Sequence, residues 1–365
     1  MATTGSSCYF TEDIIFEILS WLPIISLLRS RAVCKLWRSI ISNPRFVETH
    51  LANSQKKQAS VLRAGVLRVY KIVRNEEDFI DIAFMDTRND SVRLDLPPLF
   101  VGMKNYIRTC NGIICHSNRQ GDIIHLWNPS TKQFKILPTP KIQAHCFNLD
   151  LGFCFDSVSK DYKLLRVVSN NFSSDGIVTS VLEAELYSAN ADSWKKIQVP
   201  KTVKSFWPLL NSKCVHAKNG VLYMDGAYEL LSFDLRSEVI RVYPLHTFIP
   251  KRMSNILNLD GYVAMISESD SDPSVLSIWM MDDASGKMSW TKRFNLESDL
   301  KLEWTDLYLG GGEFVAKNDD VGHIFYDYRK KVSKRFPGPS DFFDVISVVG
   351  YTESLVSLEG FEQLE

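Results

Sequence analysis

Long apolar runs are missing from this chain of 365 residues. None approaches the roughly eighteen consecutive apolar residues that a membrane-crossing helix requires. The amino end has no basic leader, and its first apolar stretch is broken by Glu12, Asp13 and Glu17, so no signal peptide is expected. Charge of one sign is scarce too. Lys and Arg total 42 against 43 Asp and Glu, a net charge of −1, which gives no global field toward nucleic acid or an anionic membrane. The seven cysteines are odd in number and contain no C-x-x-C, which fits a reducing compartment better than a disulfide framework. The sequons at Asn89 and Asn171 then read as chance matches. A soluble protein of the cytosol or nucleus is expected. None of the seven histidines (His50, His116, His125, His145, His216, His246, His323) stands in a metal spacing such as H-E-x-x-H. No metal or cofactor is expected.

What is present changes character along the chain. Tyr9–His50 reads as three short amphipathic helices. In the first, Thr11 suits the N-cap, Glu12 and Asp13 suit the positive end, and Ile14, Ile15, Ile18, Leu19 and Leu22 recur at helical spacing. Leu22-Pro23 ends it. Ser26 is placed to cap a second helix carrying Leu27 and Leu28. Val33, Leu36, Trp37, Ile40 and Ile41 form the stripe of a third, which Asn43-Pro44 stops. Some forty residues cannot hide about a dozen large apolar side chains by themselves. The excess asks either for a partner or for the chain's own globular domain.

The pattern EDIIFEIL-x-x-LP-x-x-SLLR-x-R-x-VCK-x-W-x-x-I-x-x-P-x-F, from Glu12 to Phe46, resembles the F-box of plant F-box proteins. That resemblance implies docking on the Skp-type adaptor of a cullin–RING ubiquitin ligase, with the rest of the chain selecting the substrate. Carried over residue by residue, it implies adaptor contacts at Ile14, Ile15, Ile18, Leu19, Leu22, Pro23, Leu27, Leu28, Val33, Cys34 and Trp37. Where the family opens with Leu-Pro, Tyr9-Phe10 stands here. Phe10 can fill the same pocket but cannot fix the backbone as Pro does, which lowers the adaptor affinity to be expected.

Residues 51–62, beginning LANSQKKQAS, are polar and without periodicity and read as a linker. Residues 63–358 then read as short strands and tight turns. One hairpin cassette recurs, with landmarks at Phe84, Trp127, Tyr187, Phe233, Trp279 and Tyr326, at intervals of 43, 60, 46, 46 and 47 residues. Five of the landmarks are followed by Pro after 11 to 13 residues, and the insert SNNFSSDG accounts for the long interval. A Gly precedes an inner strand in CNGIICHS, DLGFCFDS, KNGVLYMDG, LDGYVAMIS and GGGEFVAKND. Units of this length supply about four strands each, the size of a propeller blade. The fold class expected is therefore a small all-α unit of three helices followed by an all-β, six-bladed β-propeller, with a β-sandwich or stacked meanders as the alternative. The ring would close by pairing the stretch at 345–358 with early strands such as 65–73. CNGIIC, WNPSTKQFKILP and GFCFDSVSKDYKLLRVV resemble the F-box-associated domain of plant F-box proteins, including S-locus-type and disease-resistance-regulating relatives.

Catalysis has little support. Cys110 and Cys115 fall on or beside an inner strand as small hydrophobes. Gly310-Gly311-Gly312 lacks the Lys-Ser/Thr of a phosphate loop, and MDDASGKMSW departs from the Asp-box of sialidase propellers. The expected function is a non-catalytic substrate receptor of an SCF-type ubiquitin ligase, with a Skp-type adaptor and a protein substrate as partners. A propeller hydrolase or oxidase with a helical cap, and an F-box adaptor acting outside degradation, are the alternatives. Loops with exposed aromatics and mixed charge place the candidate substrate contacts at Phe206, Trp207, Phe248, Arg252 and Trp304.

Overall fold

The computed structural model describes residues 10–61, 65–74, 77–85, 91–93, 106–118, 120–144, 149–174, 177–200, 214–217, 219–226, 229–245, 255–269, 272, 275–282, 288–297, 304–318, 322–335 and 344–363. Four helices come first, one more than expected: α1 (Glu12–Ser20), α2 (Ile24–Ser30), α3 (Lys35–Ser42) and α4 (Pro44–Val61). Thr11 is the N-cap of α1, although its side chain makes no capping bond. Ser26 caps nothing. Pro23 already sits in extended backbone and its carbonyl accepts from Ser26 and Leu27 N–H, so α2 starts earlier than expected. The polar run read as a linker is the body of α4. Asn43 Oδ1 accepts from Arg45 N–H at 2.9 Å, Pro44 occupies the favoured first position, and Ala52, Gln55, Lys56, Lys57 and Ala59 are good helix formers. Leu51 is half-buried and Asn53 buried, which ties this helix to its neighbours.

The β domain is a propeller of six sheets. The first contains β1 (Gly65–Arg74), β2 (Glu77–Met85) and β3 (Ser91–Arg93); the second β4 (Tyr106–Cys110), β5 (Ile113–Ser117), β6 (Ile124–Asn128) and β7 (Gln133–Ile136). The third is β8 (Leu149–Asp156), β9 (Asp161–Ser174), β10 (Ile177–Ser188) and β11 (Ser193–Ile197). The fourth is β12 (Cys214–His216), β13 (Val221–Asp225), β14 (Glu229–Asp234) and β15 (Val239–Pro244). The fifth is β16 (Asn255–Leu259), β17 (Tyr262–Glu268), β18 (Leu276–Asp282) and β19 (Ser289–Leu296). The sixth is β20 (Trp304–Gly310), β21 (Glu313–Asn318), β22 (Gly322–Asp327) and β23 (Val332–Arg335). Strand β24 (Asp344–Tyr351) returns to the first sheet and pairs with β1 from Gly65↔Tyr351 to Lys71↔Asp344. A last short strand, β25 (Glu362–Gln363), adds to the outer edge of the second sheet beside β7.

The innermost strands β4, β8, β12, β16, β20 and β24 each adjoin the next, and β24 adjoins β4, so the ring is closed. Thr109 Oγ1 donates to Gly350 O across the closure at 2.5 Å. All six hairpin landmarks lie on the third strand of a sheet. Trp127, Tyr187, Phe233 and Tyr326 are fully buried, the last three in cores shared by neighbouring sheets. The repeat is carried by its turns as well. Asn128, Asp156, Asp234 and Asp327 each accept with Oδ1 from the backbone N–H two residues on, and the turns close on left-handed residues such as Lys132, Lys160, Glu238 and Lys331. The tight turns before β5 and β17 use the Asn-Gly and Asp-Gly pairs Asn111-Gly112 and Asp260-Gly261, with φ positive at both residues of each. Gly152 differs: it lies within β8, where a Cβ would stand 2.2 Å from Leu222 Cδ2 of the next blade.

Candidate functional site

The helical unit is assembled around Leu19, Ile24, Leu27, Ile40, Ile41 and Phe46. Phe16 meets Phe46 edge to face at 5.2 Å, and Phe46 stacks on His50 at 6.2 Å. Buried polar side chains then lock α4 to the end of α1. His50 Nε2 is 2.9 Å from Leu22 O, and Asn53 Nδ2 donates to Ser20 Oγ at 3.0 Å. Cys34 opens α3, its Sγ accepting from Trp37 N–H at 3.5 Å. The core also contains Leu355, from the segment after the ring-closing strand β24.

With that core filled, several large apolar side chains still face water: Phe10, Ile14, Ile18, Trp21, Ile25, Val33 and Leu36. Ile14, Ile18 and Trp21 are spaced i, i+4 and i+7 and so share one face of α1, while Ile25 lies in the first turn of α2. Such a surface has no chemistry beyond apolar burial.

Among the described residues, several groups of catalytic type lie buried inside the propeller, and burial shifts them away from reactive forms. Burial pushes the Cys110 and Cys115 thiols up to about 12, far from a nucleophilic thiolate at neutral pH. Burial also drives His116 down to about 3, helped by His125, whose ring stacks on it at 6.0 Å. Arg108 of β4 donates to Asp150 of β8 at 2.9 Å and to Leu151 O at 2.8 Å, tying two inner strands together. Arg166 and Glu185, cross-strand neighbours on β9 and β10, pair at 2.6 Å with both side chains fully buried. Glu185 also accepts from Lys141 N–H, and Arg166 donates to Ile142 O, so the pair fastens the segment after β7. Among the described residues, no group of three or more His, Cys, Asp or Glu is arranged to hold a metal ion.

Residues 10–49 match the family described as F-box domain, and residues 73–333 match the one described as F-box associated beta propeller domain. The chain belongs to the F-box proteins with an associated β-propeller. It is 24% identical to F-box/LRR-repeat protein At2g43260 of Arabidopsis thaliana, over 95% of this chain and 82% of that one. With F-box protein CPR1 of the same plant the identity is 26%, over 78% and 72% of the two chains. Among solved structures, YjhT aligns with a TM-score of 0.37 and 13% identity over 61% of this chain and 72% of its own.

The structure divides the twelve F-box positions expected at the adaptor into three groups. Phe10, Ile14, Ile18, Pro23, Val33 and Cys34 are exposed, and Ile15, Leu22, Leu28 and Trp37 are half-buried. Leu19 and Leu27 are sealed within the F-box core and have no surface to offer; they are packing residues. The contact set implied by the resemblance also left out Trp21, Ile25 and Leu36, which are exposed, although Leu36 stood in the expected stripe of the third helix. Counting three residues past Ile18 on the helical wheel would have found Trp21. Nothing in the sequence singles out Ile25 from Ile24 beside it. Of the candidate substrate contacts, Phe206, Trp207, Phe248 and Arg252 lie outside the described residues. Trp304 opens β20, with its side chain outside them as well.

Proposed function

We propose that this chain is the substrate-recognition subunit of an SCF-type cullin–RING ubiquitin ligase, with Ile14, Ile18, Trp21 and Ile25 as the centre of its docking surface for a Skp-type adaptor. The observation that carries this reading is the apolar face left uncovered on a matched F-box whose core is already filled, by its own helices together with Leu355. Burying several such side chains at once is the dominant favourable contribution to most protein–protein association.

In this reading the propeller holds the protein to be ubiquitinated, makes and breaks no bond, and supplies proximity and orientation. The F-box touches the propeller at turns between first and second strands: Gln55 Nε2 donates to Asn111 Oδ1 at 3.3 Å, and Lys160 pairs with Glu48 at 3.2 Å. In an antiparallel four-stranded blade, the chain passes from each outermost strand to the next innermost strand at the other end. The proposed substrate side is therefore the one turned away from the F-box, where β11, β15 and β19 end and β12, β16 and β20 begin. Phe206, Trp207, Phe248, Arg252 and Trp304 fall in or beside those connections in sequence.

Co-purification with a Skp-type adaptor followed by reconstituted ubiquitination tests the proposal. A stoichiometric complex is expected that transfers ubiquitin to a protein captured by the propeller. Failure of the folded chain to bind any Skp-type adaptor would sink it. Turnover in a glycosidase or oxidase screen would instead favour a propeller enzyme.

A further inference from the structure

After β24 closes the ring, the chain runs on across the base of the second blade as Thr352–Gln363. Its apolar side chains divide between two cores. Leu355 enters the core of the helical unit, which also holds Phe46 and Leu19, while Val356 enters the core between the second and third blades, with Leu358 and Phe361 packed against that core. The backbone is gripped from the propeller side. Asn128 Nδ2 donates to Ser354 O at 3.0 Å and to Val356 O at 2.8 Å, and Lys135 Nζ donates to Glu359 O at 2.9 Å. Gly112, with φ +79°, leaves the space the segment occupies: a Cβ there would stand 2.3 Å from Ser354 Oγ and 2.6 Å from Thr352 O. Ser354 is fully buried. From the other side Val47 of α4 packs against both cores.

We infer that the carboxyl-terminal segment Thr352–Leu358 is a structural part of the F-box, so that a chain displays a finished adaptor-docking surface only once its propeller has closed. The helices supply most of their own core, and one buried position is filled by a residue more than three hundred positions downstream, Leu355. That residue is placed only when β24 has paired with β1 and Asn128 has clamped the backbone beyond it. An incomplete or misfolded propeller leaves the helices without this wedge. The device discriminates against recruiting a receptor that cannot hold a substrate. Its consequence for ligase assembly rests on the adaptor-docking reading above, whereas the coupling itself does not.

The decisive variant is Asn128→Asp in the full chain, compared with Leu355→Ala. The first keeps a side-chain oxygen to accept from Ser130 N–H, but turns an oxygen instead of an NH2 toward two carbonyls; no residue of the helical unit is altered. Hydrogen exchange is followed by mass spectrometry over α1–α4 and, as an internal reference, over β13–β14 on the fourth blade. Both variants are expected to raise exchange in α1 and α4 tenfold or more while β13–β14 keep wild-type protection. Adaptor affinity should fall to the extent that the opened helices become a populated state. Unchanged exchange in the helices of both variants would overturn the coupling, and so would an equal rise in all elements, since the segment would then be serving the ring alone. If the wild-type chain captures no adaptor, the ligase reading fails while the exchange result still decides the coupling.

Discussion

The proposed docking face lends itself to a substitution that should weaken binding while leaving the helix as stable as before. Ile14 lies in the first turn of α1, where a carboxylate is favoured by the helix dipole; Ile18 lies in the last, where a cation is favoured. Ile14→Glu with Ile18→Lys therefore places each charge at its preferred end, at the i, i+4 spacing and in the order that stabilises an isolated helix by about 0.2–0.5 kcal/mol. Ile14 is 45% and Ile18 is 52% exposed, so what a partner would cover on the two together amounts to about one whole isoleucine side chain. Full burial of such a side chain is worth about 1.5–3 kcal/mol, and two charges facing an apolar partner add a desolvation cost. Adaptor affinity should fall by at least a factor of roughly ten to a hundred.

The companion variant is Leu19→Ala, one residue further along the same helix. Leu19 is 1% exposed, so truncation opens a cavity in the F-box core and should cost about 2–5 kcal/mol of stability. Isothermal titration with a purified Skp-type adaptor, beside urea denaturation of the free chain, separates the two effects. The double charge variant should unfold like wild type and bind weakly. A double variant that binds as tightly as wild type, with its fold intact, would refute the assignment of this face. A Leu19→Ala variant of unchanged stability would refute the description of the core.

Three further outcomes follow from the propeller. Arg166→Met should destabilise the chain by about 3–5 kcal/mol because it strands the Glu185 carboxylate in a buried site, whereas Arg166→Met with Glu185→Leu should recover much of that loss; urea denaturation of the two variants checks both. His116 is held below its unfolded pKa by burial and His125 by its own burial, so the fold favours their neutral forms. That contribution is fully present above about pH 6.5 and is lost as pH falls toward about 3, at roughly 1.4 kcal/mol per pH unit for His116. Unfolding free energies measured at pH 7.5, 6 and 5 should show this slope, and His116→Gln should flatten it. Gly152→Ala should cost about 1–3 kcal/mol by forcing its Cβ against Leu222 of the next blade, read as a lowered thermal midpoint.

The propeller was legible in sequence because its repeat is written in local chemistry. An Asx residue that bonds the N–H two positions on, and a Gly that takes positive φ, act within a few residues of themselves, and both recur in register with the blades. The landmark aromatics stood out for a related reason. A third strand packed on both faces needs a large apolar residue at a fixed distance from its turn, so the interval between landmarks is the interval between blades. Where the pattern failed it failed locally. Gly152 looks like the other glycines of its cassette, but it sits inside a strand because Leu222, seventy positions away in sequence, occupies the space beside it.

The F-box was legible as a pattern and not as a surface, for a physical reason. A helix of nine residues with Ile14, Ile15, Ile18 and Leu19 around it, and Leu22 just beyond its end, has more apolar circumference than any single neighbour can cover, and helical spacing ranks those residues equally. What separates Ile18 from Leu19 is the direction from which α3, α4 and Leu355 arrive, and that is a long-range property. The stretch at 345–358 failed by the same logic. Its apolar residues predicted strand throughout, yet pairing with β1 stops at Tyr351, because the adjacent Leu355 and Val356 enter two different cores. The polar run at 51–60 concealed α4 conversely: a helix anchored by Val47, Leu51 and two buried polar side chains, His50 and Asn53, needs no apolar stripe of its own. Both segments lie at the seam between helices and propeller, where each half supplies the burial that makes the other's sequence intelligible.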